Sequence, residues 1–254
     1  MLLQHHGAQC PVAHADTERH RSMNTQKPVR FVKNPNSLLV HSIFYTIQGE
    51  GPFSGHKALF IRLAGCNLQC PYCDTQYTDG AIQMSPEDII TEALAINNAD
   101  EDLFRLVVIT GGEPLGQDLF ELVQQLRPFG GEIQIETNGT FDLPGTFATD
   151  VHIVCSPKTS VVKSSLKRAK TFCYKYVVDH NNCDDDFGGL PIVTLGNNVA
   201  AYKPLNRKEF PIYVTPLDTG NVYANELNRR WAAKLAMQEG YILQVQLHKL
   251  YGLA

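Results

Sequence analysis

A long apolar run is missing: nowhere do 18 consecutive apolar residues occur, so the sequence offers no helix fit to span a bilayer. A surplus of one charge is missing too. Lys and Arg number 22 against 26 Asp and Glu, a formal net charge of −4, which leaves no electrostatic footprint for nucleic acid. Cysteines spaced as disulfide partners are absent. The chain has seven, an odd number, and Cys10, Cys155, Cys173 and Cys183 show no framework spacing. That usage fits a reducing cytoplasm rather than a stapled secreted domain. The N-terminus lacks periodicity: Met1 to Lys27 contains His5, His6, His14 and His20 but neither an apolar repeat nor the apolar core of a signal peptide. Residues 1–34 are therefore expected to form a disordered tail, with Met23 as an alternative start, and 35–254 to form one catalytic domain.

What is present is concentrated in one loop. Cys66-Asn67-Leu68-Gln69-Cys70-Pro71-Tyr72-Cys73 has the spacing C-x3-C-x2-C, and the nearest other cysteines are Cys10 and Cys155. A structural zinc or an electron-transfer 4Fe-4S cluster usually takes four protein ligands. Three thiolates on a four-iron cluster leave one iron open to a substrate or cofactor. The residues alone keep two other readings in play: a zinc site completed by a distant His or Cys, and unrelated free thiols.

Apolar runs closed by glycine or proline set out the fold. Leu38–Phe44, Ala58–Leu63, Arg105–Thr110, Glu132–Thr137, Val151–Cys155, Phe172–Val178, Pro211–Thr215 and Tyr241–Leu247 read as strands. Ser85-Pro86-Glu87-Asp88 opens a helix to about Asn97, Leu119, Phe120, Val123 and Leu126 mark a second, and 221–238 is the longest. Strands alternating with helices imply parallel βαβ units. Some connections, such as 138–150, are too short for a full helix. The expectation is an α/β fold, a partial, irregular (β/α)6-like barrel of about six strands. The polar motifs CNLQCPYC, TGGEP, ETNG, SPK and TPLD all follow predicted strand ends. In a parallel barrel those ends share one face, where active sites are built.

The cysteine loop together with Thr110-Gly111-Gly112-Glu113-Pro114 resembles the radical S-adenosylmethionine superfamily. The resemblance implies a 4Fe-4S cluster on Cys66, Cys70 and Cys73 whose open iron chelates S-adenosylmethionine. Cleavage of that cofactor yields a 5′-deoxyadenosyl radical, which takes a hydrogen atom from substrate. Gly112 maps to a cofactor contact, and Glu113 either supports its own loop or accepts from the cofactor's ammonium. Ser156, Pro157 and Lys158 offer groups for ribose hydroxyls and the cofactor carboxylate. The bland alternatives are a surface lysine and, for Asn138, a left-handed turn. Glu136 and Asn138 stay undecided.

Ile47-Gln48-Gly49-Glu50-Gly51-Pro52, Arg62-Leu63-Ala64-Gly65-Cys66-Asn67 and Cys73-Asp74-Thr75 narrow the likeness to the 7-carboxy-7-deazaguanine synthase family, over nearly all of 38–254. That family's reaction is the radical contraction of 6-carboxy-5,6,7,8-tetrahydropterin with loss of ammonia, on the route to queuosine and other 7-deazapurines. The likeness implies that Ile47, Gln48 and Gly49 bind the flat pterin edge, that Thr110 contacts substrate, and that Thr75 binds Mg2+. Arg62 suits the substrate carboxylate as a planar fork, against the alternative of an internal ion pair with Glu50. Thr215, Pro216, Leu217 and Asp218 map to another cofactor segment. Some members end in a proline whose carboxylate reaches the substrate. Here Ala254 stands last, a departure from that pattern, and its carboxylate is the corresponding candidate. A flavodoxin or ferredoxin reductant and a homodimer are also implied. Glycyl-radical activating enzymes share the loop and GGEP and remain the alternative.

Overall fold

The computed structural model describes residues 24–71, 73, 75–96, 104–194 and 199–253. Residues 1–23 of the expected tail 1–34, including the alternative start Met23, the motif residues Tyr72 and Asp74, and the last residue Ala254 lie outside the described residues.

One sheet of nine strands organises the described chain: β1 (Leu38–Ile47), β2 (Lys57–Leu63), β3 (Ile82–Met84), β4 (Leu106–Gly111), β5 (Glu132–Thr137), β6 (Val151–Cys155), β7 (Thr171–Val178), β8 (Ile212–Pro216) and β9 (Ile242–Leu243). Their spatial order is β3-β1-β2-β4-β5-β6-β7-β8-β9. From β2 through β9 every neighbour is parallel, whereas β1 runs antiparallel to both β2 and β3. The order is linear, so the barrel is open, as the sequence suggested. Six of the expected strands, β2 and β4 to β8, form its parallel wall, and β1, β3 and β9 extend it. At the seam Gln244 Nε2 donates to Gly51 O at 3.0 Å, tying the chain beyond β9 to the loop after β1.

The strands form because their residues have two faces to bury. Val151–Cys155 is buried at every position and Leu106–Ile109 likewise, the near-continuous apolar reading of a parallel strand. The outer face packs on α1 (Pro86–Ile96), α2 (Phe120–Leu126) and α3 (Val222–Glu239), through residues such as Ile89, Leu122, Val123, Trp231 and Leu235. Ser85 and Asp88 form a reciprocal cap on α1: Asp88 N donates to Ser85 Oγ at 3.1 Å and Ser85 N to Asp88 Oδ2 at 3.1 Å. The Ser85 hydroxyl, donating to Asp88 Oδ2 at 2.7 Å, and then the Ser85 N bond hold the Asp88 carboxyl below its usual range. Asn221 Oδ1 accepts from Ala224 N at 3.0 Å to start α3, and Gly240 at φ +74° ends it.

As expected of 138–150, the β5–β6 connection has no full helix; it carries the 3-10 turn Ala148–Asp150, and β6–β7 likewise carries Ser164–Arg168. Two expectations shift. The last strand, expected over 241–247, is only Ile242–Leu243, and Leu247–Tyr251 turns into a short helix, α4. The tail boundary also moves: residues 24–31 lie against the cysteine loop, where Val29 N donates to Cys66 O at 2.8 Å and Asn24 N to Pro71 O at 3.0 Å. No apolar period marks that segment because it is held by polar side chains. Among the described residues no helix is long and apolar enough to cross a membrane.

Candidate active site

The carboxyl ends of the parallel strands converge on a cavity of about 450 Å³, in the size range of small-molecule sites. Its lining draws on every expected motif: Ile47, Gln48 and Gly49; Arg62; Cys66, Cys70, Cys73 and Thr75; Thr110 and Gly112; Ser156 and Lys158; Leu217 and Asp218. Three expected residues stand elsewhere. Thr215 is buried within β8 with its hydroxyl lacking a hydrogen-bond partner, Pro216 closes that strand outside the lining, and Pro157 lines a small neighbouring cleft with Lys158. A strand alternates its side chains, so only part of a four-residue motif faces one cavity.

The cysteine loop begins where β2 stops. Gly65, at φ +83°, turns the chain out of the sheet, and Gly65 N donates to Tyr77 O at 2.9 Å to close the loop's base. Cys66 is buried and Cys70 and Cys73 are partly exposed. Burial pushes the Cys66 thiol up to about 12, so it keeps its proton at neutral pH until a cation displaces it. Among the described residues no three His, Cys, Asp or Glu side chains are gathered around a point for a single metal ion. A four-iron cluster needs no such point, because its thiolates bind separate irons. Three cavity-lining thiols with no carboxylate or imidazole gathered among them in the described residues fit an iron–sulfur cluster better than a zinc ion completed nearby.

Gly112 has a reason the sequence did not reveal. A Cβ placed there would stand 1.9 Å from Gly65 O, 2.4 Å from Gly65 C and 2.9 Å from Cys66 N. The TGGEP loop thus packs backbone to backbone on the residues that launch the cysteine loop, and Glu113 N donates to Gly65 O at 2.9 Å. Only glycine permits this approach.

Glu113 supports its loop; it lines no part of the cavity. Fully buried, it accepts from Leu115 N at 3.1 Å, Thr137 Oγ1 at 2.7 Å and Asn138 N at 2.7 Å. Asn138 in turn donates to Asn67 Oδ1 at 3.0 Å, and its amide lies 4.0 Å from Cys66 Sγ. The chain Glu113–Asn138–Asn67 therefore joins three motifs around the first cysteine, and Asn138 is more than a turn residue. Burial raises the Glu113 carboxyl to about 7 against the three hydrogen bonds that favour its charge. A buried acid with a raised folded-state pKa stabilises the fold fully below its unfolded value, and that stability is lost as pH rises through 7. Cluster-free protein is therefore expected to lose stability on the order of 3 kcal/mol from this group between pH 4.5 and 7. Urea unfolding at several pH values checks it. Glu113→Gln should flatten that slope, and an unchanged slope removes Glu113 as its source.

Deeper in the cavity lies a polar web that the sequence only partly disclosed. Glu136 accepts from Gln48 Nε2 at 2.9 Å, Gln134 Nε2 at 3.2 Å and Thr110 Oγ1 at 3.2 Å. Arg62 lies with Cζ 4.9 Å from the Phe44 ring centre, a cation–π distance. Glu50, weighed as its internal partner, pairs with Lys175 at 2.5 Å, both largely buried. Lys175, Gln246 and His248 line the cavity and were not singled out as site residues. Lys175 sits in an otherwise apolar strand, a signal that was readable; His248 is placed by α4, which was not. Gly49 admits it: a Cβ there would stand 2.6 Å from His248 Nδ1.

Comparison with known proteins agrees with this geometry. Residues 60–148 match the model of the Radical SAM superfamily. A 7-carboxy-7-deazaguanine synthase of Rhodospirillum rubrum is 37% identical over 228 residues, 86% of this chain and 93% of that protein. The synthase of Rickettsia prowazekii is 36% identical over 85% of this chain and 88% of its own. Among solved structures, QueE from Escherichia coli superposes with a TM-score of 0.59 at 25% identity, covering 83% of this chain and 94% of that one. These names do not favour the activating-enzyme alternative. With the cysteine loop, TGGEP and the QGEG turn meeting in one cavity of the same fold, the chain belongs to the 7-carboxy-7-deazaguanine synthase family of radical S-adenosylmethionine enzymes.

Proposed function

We propose that this enzyme converts 6-carboxy-5,6,7,8-tetrahydropterin into 7-carboxy-7-deazaguanine with release of ammonia, feeding 7-deazapurine synthesis such as queuosine. The observation that carries the reading is the meeting of Cys66, Cys70 and Cys73 with Arg62, Thr75 and the Ile47–Gly49 turn in one cavity. Cys66, Cys70 and Cys73 would hold the 4Fe-4S cluster. When bound, the cluster and S-adenosylmethionine supply one-electron cleavage and hydrogen-atom transfer, chemistry that belongs to the cofactors.

The chain's own residues bind and orient. Gly112, Ser156, Lys158, Leu217 and Asp218 line the cavity and would hold S-adenosylmethionine. Ile47, Gln48 and Gly49 offer the pterin edge their backbone groups. Thr110 and Glu136, already joined at 3.2 Å, form a wall with one carboxylate and one hydroxyl toward the ring amide. Thr75 would offer a hydroxyl to Mg2+, which would polarise a substrate oxygen. A low-potential flavodoxin or ferredoxin would deliver the electron, in the cytoplasm. Exposed Ile242, Leu243, Leu250 and Tyr251 along the free edge at β9 and α4 suit a homodimer contact.

Anaerobic reconstitution with iron and sulfide, followed by carboxytetrahydropterin, reductant and Mg2+, tests the proposal through mass detection of the contracted ring. No such product from loaded enzyme rejects it. Within it, Arg62→Ala is expected to raise KM for the carboxypterin by about 10²-fold, from loss of a charge-assisted contact of roughly 2–3 kcal/mol. Cleavage of S-adenosylmethionine without substrate should persist. An unchanged KM takes Arg62 out of the substrate site.

A further inference from the structure

We infer that residues 24–31 form a strap that positions the cluster-binding loop, with Gln26 as its central positioning residue; this rests on the reading that Cys66, Cys70 and Cys73 hold a cluster. The loop has little regular structure of its own. Among the described residues its backbone bonds to itself are few, with Cys73 N to Cys70 O at 3.1 Å and the closing bond at its base. The strap supplies the rest. Cys66 O accepts from Val29 N at 2.8 Å, Cys70 O from Asn24 Nδ2 at 3.1 Å, Pro71 O from Asn24 N at 3.0 Å, and Thr75 O from Gln26 Nε2 at 2.9 Å. Four carbonyls spread along the loop thus point at one segment.

Gln26 acts from both ends of its amide. While Nε2 donates to Thr75 O, Oε1 accepts from Tyr77 N at 2.7 Å and from Thr78 Oγ1 at 3.2 Å. It thereby fixes the stretch that follows Cys73 and contains the Mg2+ candidate Thr75. Gln69 returns a bond, its Nε2 donating to Asn24 O at 3.0 Å. Phe31 anchors the strap's far end. Its ring meets Phe141 edge-on at 5.7 Å and fills the space over Gly116, where a Cβ would lie 2.4 Å from it. Such an arrangement makes the loop's opening, which exposes irons to solvent, contingent on breaking the strap.

The test uses full-length enzyme loaded anaerobically, with iron removal by a chelator followed by absorbance. Gln26→Ala is expected to speed release about tenfold, since three hydrogen bonds are lost and part of their strength is regained with water. A variant starting at residue 33 should release iron faster still. Lys33→Ala, exposed and outside the strap, should match the parent. The electron paramagnetic resonance g-values of the reduced cluster with S-adenosylmethionine should shift in Gln26→Ala, which a remote stability effect would not produce. Parent-like release and g-values in Gln26→Ala overturn the inference even if the shortened chain does not fold. A parent that takes up no cluster sinks both this inference and the reading beneath it.

Discussion

Cys66→Ala is expected to stop the reaction, with turnover falling by more than about 10³-fold, on the order of 4 kcal/mol or more in barrier. Its sulfur is the innermost of the three and lies where the TGGEP loop, Asn138 and the start of the cysteine loop meet. Removing it leaves a four-iron cluster with two protein ligands, and nothing among the described residues is positioned to replace it: the nearest amide, Asn138, is a poor iron ligand. Iron per chain after anaerobic reconstitution should drop together with turnover. Cys155→Ala is the control, because Cys155 is wholly buried in β6 and burial holds its thiol well above the usual range. That variant should keep its iron while losing some stability from the small cavity. If Cys66→Ala binds iron and turns over like the parent, the cluster assignment fails.

Gly112→Ala is expected to be nearly as damaging although it removes no functional group. A single methyl would have to occupy space 1.9 Å from Gly65 O, and the obstacle is backbone, which cannot rotate away. The two loops must separate, breaking Glu113 N to Gly65 O at 2.9 Å and Gly112 N to Leu63 O at 3.1 Å. Overpacking of this kind costs about 1–3 kcal/mol, and a displacement of roughly 1 Å at a catalytic group costs about 10²-fold in rate. We therefore expect a lower melting temperature and at least a hundredfold fall in turnover. Gly145→Ala, where a Cβ meets nothing within 4 Å, should change neither. Full activity in Gly112→Ala would falsify the close-approach account.

Much of the site was legible because its chemistry is local in sequence. The cysteine spacing, Gly112, Arg62 and Thr110 all lie within a few residues of strand ends, and strands announce themselves by apolar content. Parallel pairing then gathers those ends without further information, as Arg62 opposite Thr110 in the β2–β4 register shows. Residues placed by other means were missed. Lys175 enters the cavity because β7 turns that face inward and Glu50 meets it from a loop 125 positions away. His248 depends on a short helix, and the strap on side-chain amides that no hydrophobic period records.

The order of residues determined the alternation of strands and turns, the trio of thiols and the family of the chain, since each of these is set by composition over a few neighbouring positions. Tertiary structure alone decided that Gly112 serves a backbone contact, that Glu113 is an uncharged brace at acid pH, and that residues 24–31 lie against the cysteine loop. The physical reason is common to all three. Steric exclusion, desolvation and hydrogen bonding to a distant carbonyl act between groups brought together only by folding, and so leave no local mark in the chain.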